Sequence, residues 1–158
     1  MTKIKYNTNY CFAVDKMLGT LAKWLRILGY DTFYHHHITN AKLLKIARKD
    51  KRIIITKSRY FHKIYTKVPI IFVHQDKLKL QMRELHSELN LTDQALFTRC
   101  VICNTLTKSI DKHTIKNIVP PYIYKTHNAF YHCIICGKVY WQGTHYEQAK
   151  KFFKEIIK

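Results

Sequence analysis

The cysteines constrain this chain more than any other feature. Four of the five fall in two Cys-x-x-Cys pairs, Cys100-Val101-Ile102-Cys103 and Cys133-Ile134-Ile135-Cys136, with 29 residues, Asn104 to His132, between them. In each pair two sulfurs can converge on one ion, and four thiolates complete the tetrahedral cage that zinc prefers. No coordination position is left open, so the expected role is structural and not catalytic. The usual separation of two such pairs is roughly 15–20 residues. The connecting chain is therefore expected to be atypical although the ligand set Cys100, Cys103, Cys133 and Cys136 is complete. An iron–sulfur cluster or a redox dithiol uses the same residues, but nothing in the pattern favours either. His113, His127, His132 and His145 lie near the pairs as spare donors that a full cysteine set does not need. Cys11, alone in an apolar run, is expected to be a small core residue.

Charge is the second constraint. The 158 residues hold 28 Lys plus Arg against 10 Asp plus Glu, a net charge of +18 with histidine neutral. A content of 47% hydrophobic and 13% aromatic residues excludes a disordered basic tail. One core, or one core with a small satellite, is expected at this length. Such an excess of positive charge points to polyphosphate partners, RNA or DNA; a solvated lysine-rich surface is the bland alternative. The longest uncharged apolar stretches, such as Val68 to Val73, fall short of the roughly 20 residues of a spanning helix. Met1 to Tyr10 lacks the apolar core of a secretory signal. A cytoplasmic protein without a membrane partner is expected, in a reducing compartment where cysteines bind metal in preference to pairing as disulfides.

Hydrophobic periodicity predicts the architecture. Tyr10 to Val14 reads as a buried strand, followed by a helix whose Leu18, Leu21, Ala22, Leu25 and Leu28 share one face and which stops at Gly29. Asp31 to Tyr34 is a second strand. Thr39 or Asn40 caps a helix carrying Leu43, Leu44, Ile46 and Ala47, and Ile53 to Thr56 is a third strand. A short polar helix near Ser58 to Tyr65, a strand from Pro69 to Val73 and a helix through Leu78, Met82, Leu85 and Leu89 complete the series. This alternation predicts an α/β domain over residues 1–98, with a mostly parallel sheet covered by helices. Residues 99–158 are expected to form a zinc ribbon and a C-terminal helix from about His145, with Thr144 and Glu147 at capping-box spacing. Both segments are basic.

Ligands of such sheets bind beyond the carboxyl ends of the strands. Those ends carry Asp15, then Lys57 and Ser58, then Gln75 and Asp76. His35-His36-His37 is expected to be a solvated loop. In the second segment, Tyr122, Tyr124, Phe130, Tyr131, Tyr140 and Trp141 interleave with Lys125 and Lys138, a combination that suits single-stranded nucleic acid. At least half of these rings are expected to be core instead, because a small ribbon has little else to bury.

The run from Phe12 to Thr32, with Asp15-Lys16-Met17-Leu18-Gly19-Thr20-Leu21-Ala22-Lys23-Trp24-Leu25-Arg26 at its centre, resembles the opening of the Mut-seven C-terminal ribonuclease family. The second half resembles it too, in Arg99-Cys100, Cys103-Asn104, Val119-Pro120 and the run from Cys133 through Gly137-Lys138-Val139-Tyr140-Trp141-Gln142-Gly143-Thr144-His145. The resemblance implies a PIN-like three-layer α/β/α sandwich that cuts RNA with Mg²⁺ or Mn²⁺ held by carboxylates, followed by a zinc ribbon. Of the acids it implies, only Asp15 is matched. Asn40, Ser58 and Tyr60 stand where the family has carboxylates, and Lys57 adds a positive charge.

The leading expectation is therefore an RNA-binding protein on a ribonuclease scaffold whose acids are largely lost. Lys16, Lys23, Arg26, Lys57 and Arg59 would contact phosphates, with Arg26 alternatively fixing structure. A working metal-dependent endoribonuclease, with Mg²⁺ or Mn²⁺ at catalytic Asp15 and Asp76, is the second expectation. A protein-interaction module whose basic face meets an acidic partner is the third.

Overall fold

The computed structural model describes residues 10–93 and 95–158; the expectation of no secretory signal falls almost wholly on residues 1–9, outside them. Four short strands, β1 (Cys11–Val14), β2 (Asp31–Tyr34), β3 (Ile53–Thr56) and β4 (Ile70–Phe72), form one sheet in the order β2-β1-β3-β4. All neighbours are parallel. Successive side chains of a strand point to opposite faces, and here both faces are covered. Phe12, Val14 and Ile55 enter one core, while Ala13 and Ile54 enter another. Apolar residues therefore run unbroken along the central strands.

Helices α1 (Gly19–Ile27) and α3 (Leu78–Leu89) pack on the first face through Leu21, Leu25, Met82 and Leu85. Helix α2 (Asn40–Lys49) covers the second through Leu43 and Ala47. The result is the expected three-layer α/β/α sandwich. Of the two candidate caps of α2, Thr39 is the one used: its hydroxyl accepts the Lys42 N–H at 3.3 Å. Gly29 adopts a φ of +94°, and a Cβ there would lie 2.4 Å from the Ala95 carbonyl oxygen. Only glycine fits where the chain turns from α1 into β2. The polar helix predicted near Ser58 to Tyr65 is shorter, a single 3-10 turn over Arg59–His62 capped by Ser58.

The second segment forms the antiparallel sheet β5-β6-β7 (Lys108–Ile110, Phe130–His132, Val139–Tyr140). Between β5 and β6 the chain makes a short turn and the helix α4 (Pro121–Thr126). This insertion carries its own core of Ile115, Val119 and Phe130, with Ile123, Tyr124, Val139 and Trp141 packed against it. A second small core accounts for the long spacing between the cysteine pairs.

The last helix, α5 (Thr144–Ile156), returns to the first sheet, where Ala149, Phe153 and Ile156 join the core beneath α3. The capping box expected at Thr144 and Glu147 does not form. The N-cap is Gly143, without a side-chain cap. A Cβ at Gly143 would lie 2.7 Å from Trp141 Nε1, so the ring packs close against this glycine. No helix among the described residues is long and apolar enough to cross a membrane.

Candidate metal centre and strand-end face

The two Cys-x-x-Cys pairs fold into matching knuckles. In the first, Cys100 N–H donates to the Thr105 carbonyl and Asn104 N–H to the Cys100 carbonyl; in the second, Cys133 N–H donates to Lys138 and Gly137 N–H to Cys133. The residue after each pair has positive φ, 64° at Asn104 and 73° at Gly137. Asparagine and glycine tolerate this left-handed backbone best. The four sulfurs all lie within 4.8 Å of one another, and Cys100 Sγ is 3.7 Å from Cys136 Sγ. A zinc ion with Zn–S bonds of about 2.3 Å sets its sulfurs about 3.8 Å apart. The donor set is placed to hold a metal ion and fits zinc.

Cys100 is the most elaborated ligand. Its sulfur accepts the Tyr140 O–H at 3.1 Å and the Cys103 N–H at 3.4 Å, while the Tyr140 oxygen accepts the Val101 N–H. Burial pushes the Cys100 thiol up, but these donors outweigh it and bring it down to about 7. Burial and the neighbouring sulfurs push Cys103 up to about 12.

The first knuckle is fastened to the parallel sheet by two side chains. Arg26 is buried, at 7% exposure; its Nε donates to the Thr32 carbonyl and its Nη1 to those of Val101 and Ile102. Asn104 donates Nδ2 to Asp31 at 2.8 Å, and its Oδ1 accepts the Thr32 N–H at 2.9 Å. Arg26 is thus a strut between β2 and the first cysteine knuckle, the structure-fixing role that the sequence offered beside a phosphate contact. Burial pushes the Asp31 carboxyl up, but hydrogen bonds from Arg52 and Asn104 and the Arg52 charge outweigh it and hold it below its ordinary value.

At the carboxyl ends of the parallel strands, Asp15 is buried at 2% exposure. Its Oδ1 accepts the Met17 N–H, and its Oδ2 accepts the Thr56 hydroxyl and the Lys57 N–H. Oδ1 therefore caps the turn that follows β1, and Oδ2 ties β1 to the end of β3. Asn40 Nδ2 donates to Ser58 Oγ at 2.9 Å, and Ser58 N–H donates to Thr56 Oγ1 at 2.9 Å, extending the network across the face. The Lys57 ammonium pairs with Asp76, whose carboxyl it holds below the ordinary value, and also donates to the Gln75 carbonyl. Asp15 and Asp76 do not share one environment, since the first is buried and the second is 92% exposed. Lys57 touches both, by its backbone and its ammonium. Lys16 and Arg59 are exposed at this edge, and Lys23 is exposed along α1.

A family model described as the Mut7-C RNAse domain matches residues 10–153. The chain belongs to the Mut7-C RNAse domain family. No curated protein and no solved structure matches it.

Within this Mut7-C domain, the fold gives three residues roles that the sequence alone did not assign. Thr56 links Asp15 to Ser58, Tyr140 supports Cys100, and Asn104 joins the metal knuckle to β2. Only Asn104 left a signal, standing after Cys103 as Gly137 stands after Cys136. The loop His35 to His37, exposed as expected, follows β2 and so borders the same edge as Asp15. Among the described residues, the four cysteines are the one group of three or more His, Cys, Asp or Glu side chains placed to hold an ion. Of the six aromatic rings around the knuckles, Phe130 and Tyr140 are buried and Tyr124 and Trp141 pack on the ribbon core, whereas Tyr122 and Tyr131 face solvent.

Proposed function

We propose that this Mut7-C protein binds RNA across its strand-end face without a two-metal nuclease centre, and that the four cysteines hold a structural zinc. One observation carries the reading. Where the resemblance implies carboxylates, Asn40 and Ser58 are hydrogen-bonded to each other, and the surviving Asp15 is met by the Lys57 backbone N–H while the Lys57 ammonium neutralises Asp76. Two divalent ions concentrate a charge of about +4, which one carboxylate with both oxygens already engaged cannot balance. The residues present do not fit that metal pair. They do fit a polyanion: Lys16, Lys57 and Arg59 line the edge, Lys23 extends it, and the chain's charge of +18 raises affinity and encounter rate for phosphodiesters.

The test is a binding titration with single-stranded RNA at rising salt. Four phosphate contacts give a slope of log K against log salt of about −3. Binding that is absent, or flat between about 50 and 200 mM salt, overturns the reading. Cleavage in Mg²⁺ or Mn²⁺ that disappears in Asp15→Asn replaces it with the nuclease reading. Tight binding of an acidic protein in the absence of RNA affinity replaces it with the interaction-module reading.

A further inference from the structure

A second basic concavity lies at the opposite ends of the same strands. Arg52 immediately precedes β3 and Pro69 immediately precedes β4, and both line a cavity of about 590 Å³ with Arg48, Lys51, Tyr65 and Lys67. Because the sheet is parallel, this cavity is on the far edge from Asp15 and Lys57, which follow their strands. Four residues of extended chain separate the two edges by about 13 Å.

Three features of the cavity concern ligands. Arg52 is compensated, with Nη1 on Asp31 at 2.6 Å and Nε 3.6 Å from Asp50 Oδ2. Arg48, Lys51 and Lys67 have no ion pair among the described residues, so their charges are not cancelled locally. Tyr65, at 95% exposure, holds its ring almost wholly in solvent at the cavity's rim. A folded chain gains nothing from an aromatic ring so placed. Uncancelled cations beside a free aromatic face are what single-stranded nucleic acid requires, the cations for phosphates and the ring for an unstacked base.

We infer that Arg48, Lys51, Lys67 and Tyr65 form a second single-stranded RNA subsite, in which Tyr65 stacks on a base and the three cations take the neighbouring phosphates. The inference rests on the RNA-binding reading above and adds a site to it at the opposite edge of the sheet. RNA long enough to run from one edge to the other would engage both.

The experiment uses the full chain and a fluorescent 20-nucleotide oligouridylate followed by anisotropy. Tyr65→Ala is expected to weaken binding about tenfold, within the range for loss of one stacked base, while Tyr65→Phe keeps the ring and binds as the parent does. Replacing Arg48, Lys51 and Lys67 together by Gln is expected to make the salt slope shallower by about 2. All four side chains are exposed, so an unchanged melting temperature verifies the fold. If the parent binds RNA but Tyr65→Ala and the triple variant bind within twofold of it at unchanged slope, the subsite is overturned and the strand-end reading stands. If the parent binds no RNA, both fall together. Equal competition by duplex RNA or by polyglutamate, in place of single strands, overturns the stacked base.

Discussion

Removing the Arg26 guanidinium would leave the carbonyls of Thr32, Val101 and Ile102 without a donor in a largely buried setting. Unsatisfied buried groups cost about 1–3 kcal/mol each. Only the Thr32 bond is fully buried, the other two being part-buried, so Arg26→Met is expected to lower stability by about 1–3 kcal/mol in a denaturant titration. RNA affinity, measured where the variant is still folded, should stay within twofold; a large loss of affinity at unchanged stability would restore Arg26 as a phosphate contact. Asp31 permits a test by pH. Its folded-state pKa is depressed, so the stability it contributes is present above its unfolded pKa of about 3.9 and is lost as pH falls through the lower folded value. The stability gap between the parent and Asp31→Asn should be full near neutral pH and close progressively below about pH 4. A gap that widens on acidification contradicts the assigned network. The sequence offered a structural role for Arg26 only as an alternative and none for Asp31, and it named the partners of neither. Each depends on a partner more than 70 residues away, Val101 and Ile102 for Arg26 and Asn104 for Asp31.

The elements, by contrast, were largely legible. Each of the strands predicted from apolar runs in residues 1–98 forms, because a strand buried on both faces needs an unbroken apolar stretch and that stretch is local information. Two elements depart from expectation. Helix α5 begins after Gly143, against which Trp141 packs, with no cap from Thr144, and the region after Ser58 closes in one 3-10 turn where a longer helix was expected. Helix α5 carries the clearest prediction at this scale. Phe153 is 1% exposed and sits in the core with Met82 and Leu85. Phe153→Ala is expected to cost about 3–5 kcal/mol, with increased amide exchange in α3 as well as α5. Exchange confined to α5 would mean that the helix docks loosely on the sheet domain.

For the molecule as a whole, the first cysteine knuckle, β2 and the last turn of α1 are joined through Arg26 and Asn104, so the loss of a metal held there should be felt at the edge of the sheet. One zinc per chain is expected on metal analysis. Chelation should abolish protection in β5 to β7 and lower the melting temperature, since a structural zinc contributes folding free energy outright. A metal-free chain with unchanged melting would remove the centre from the account. The four cysteines that could hold a metal and the parallel α/β class were determined by the sequence by itself. Those properties reside in residue identity and spacing, which short-range periodicity and coordination chemistry translate directly. Tertiary structure alone settled that Arg26 is a strut, that Asp15 spends one oxygen on its own turn and the other on holding β1 to β3, and that Lys57 stands between Asp15 and Asp76. A side chain's partner is chosen by packing between distant segments, and no local pattern encodes which donor will meet which acceptor once the chain has closed.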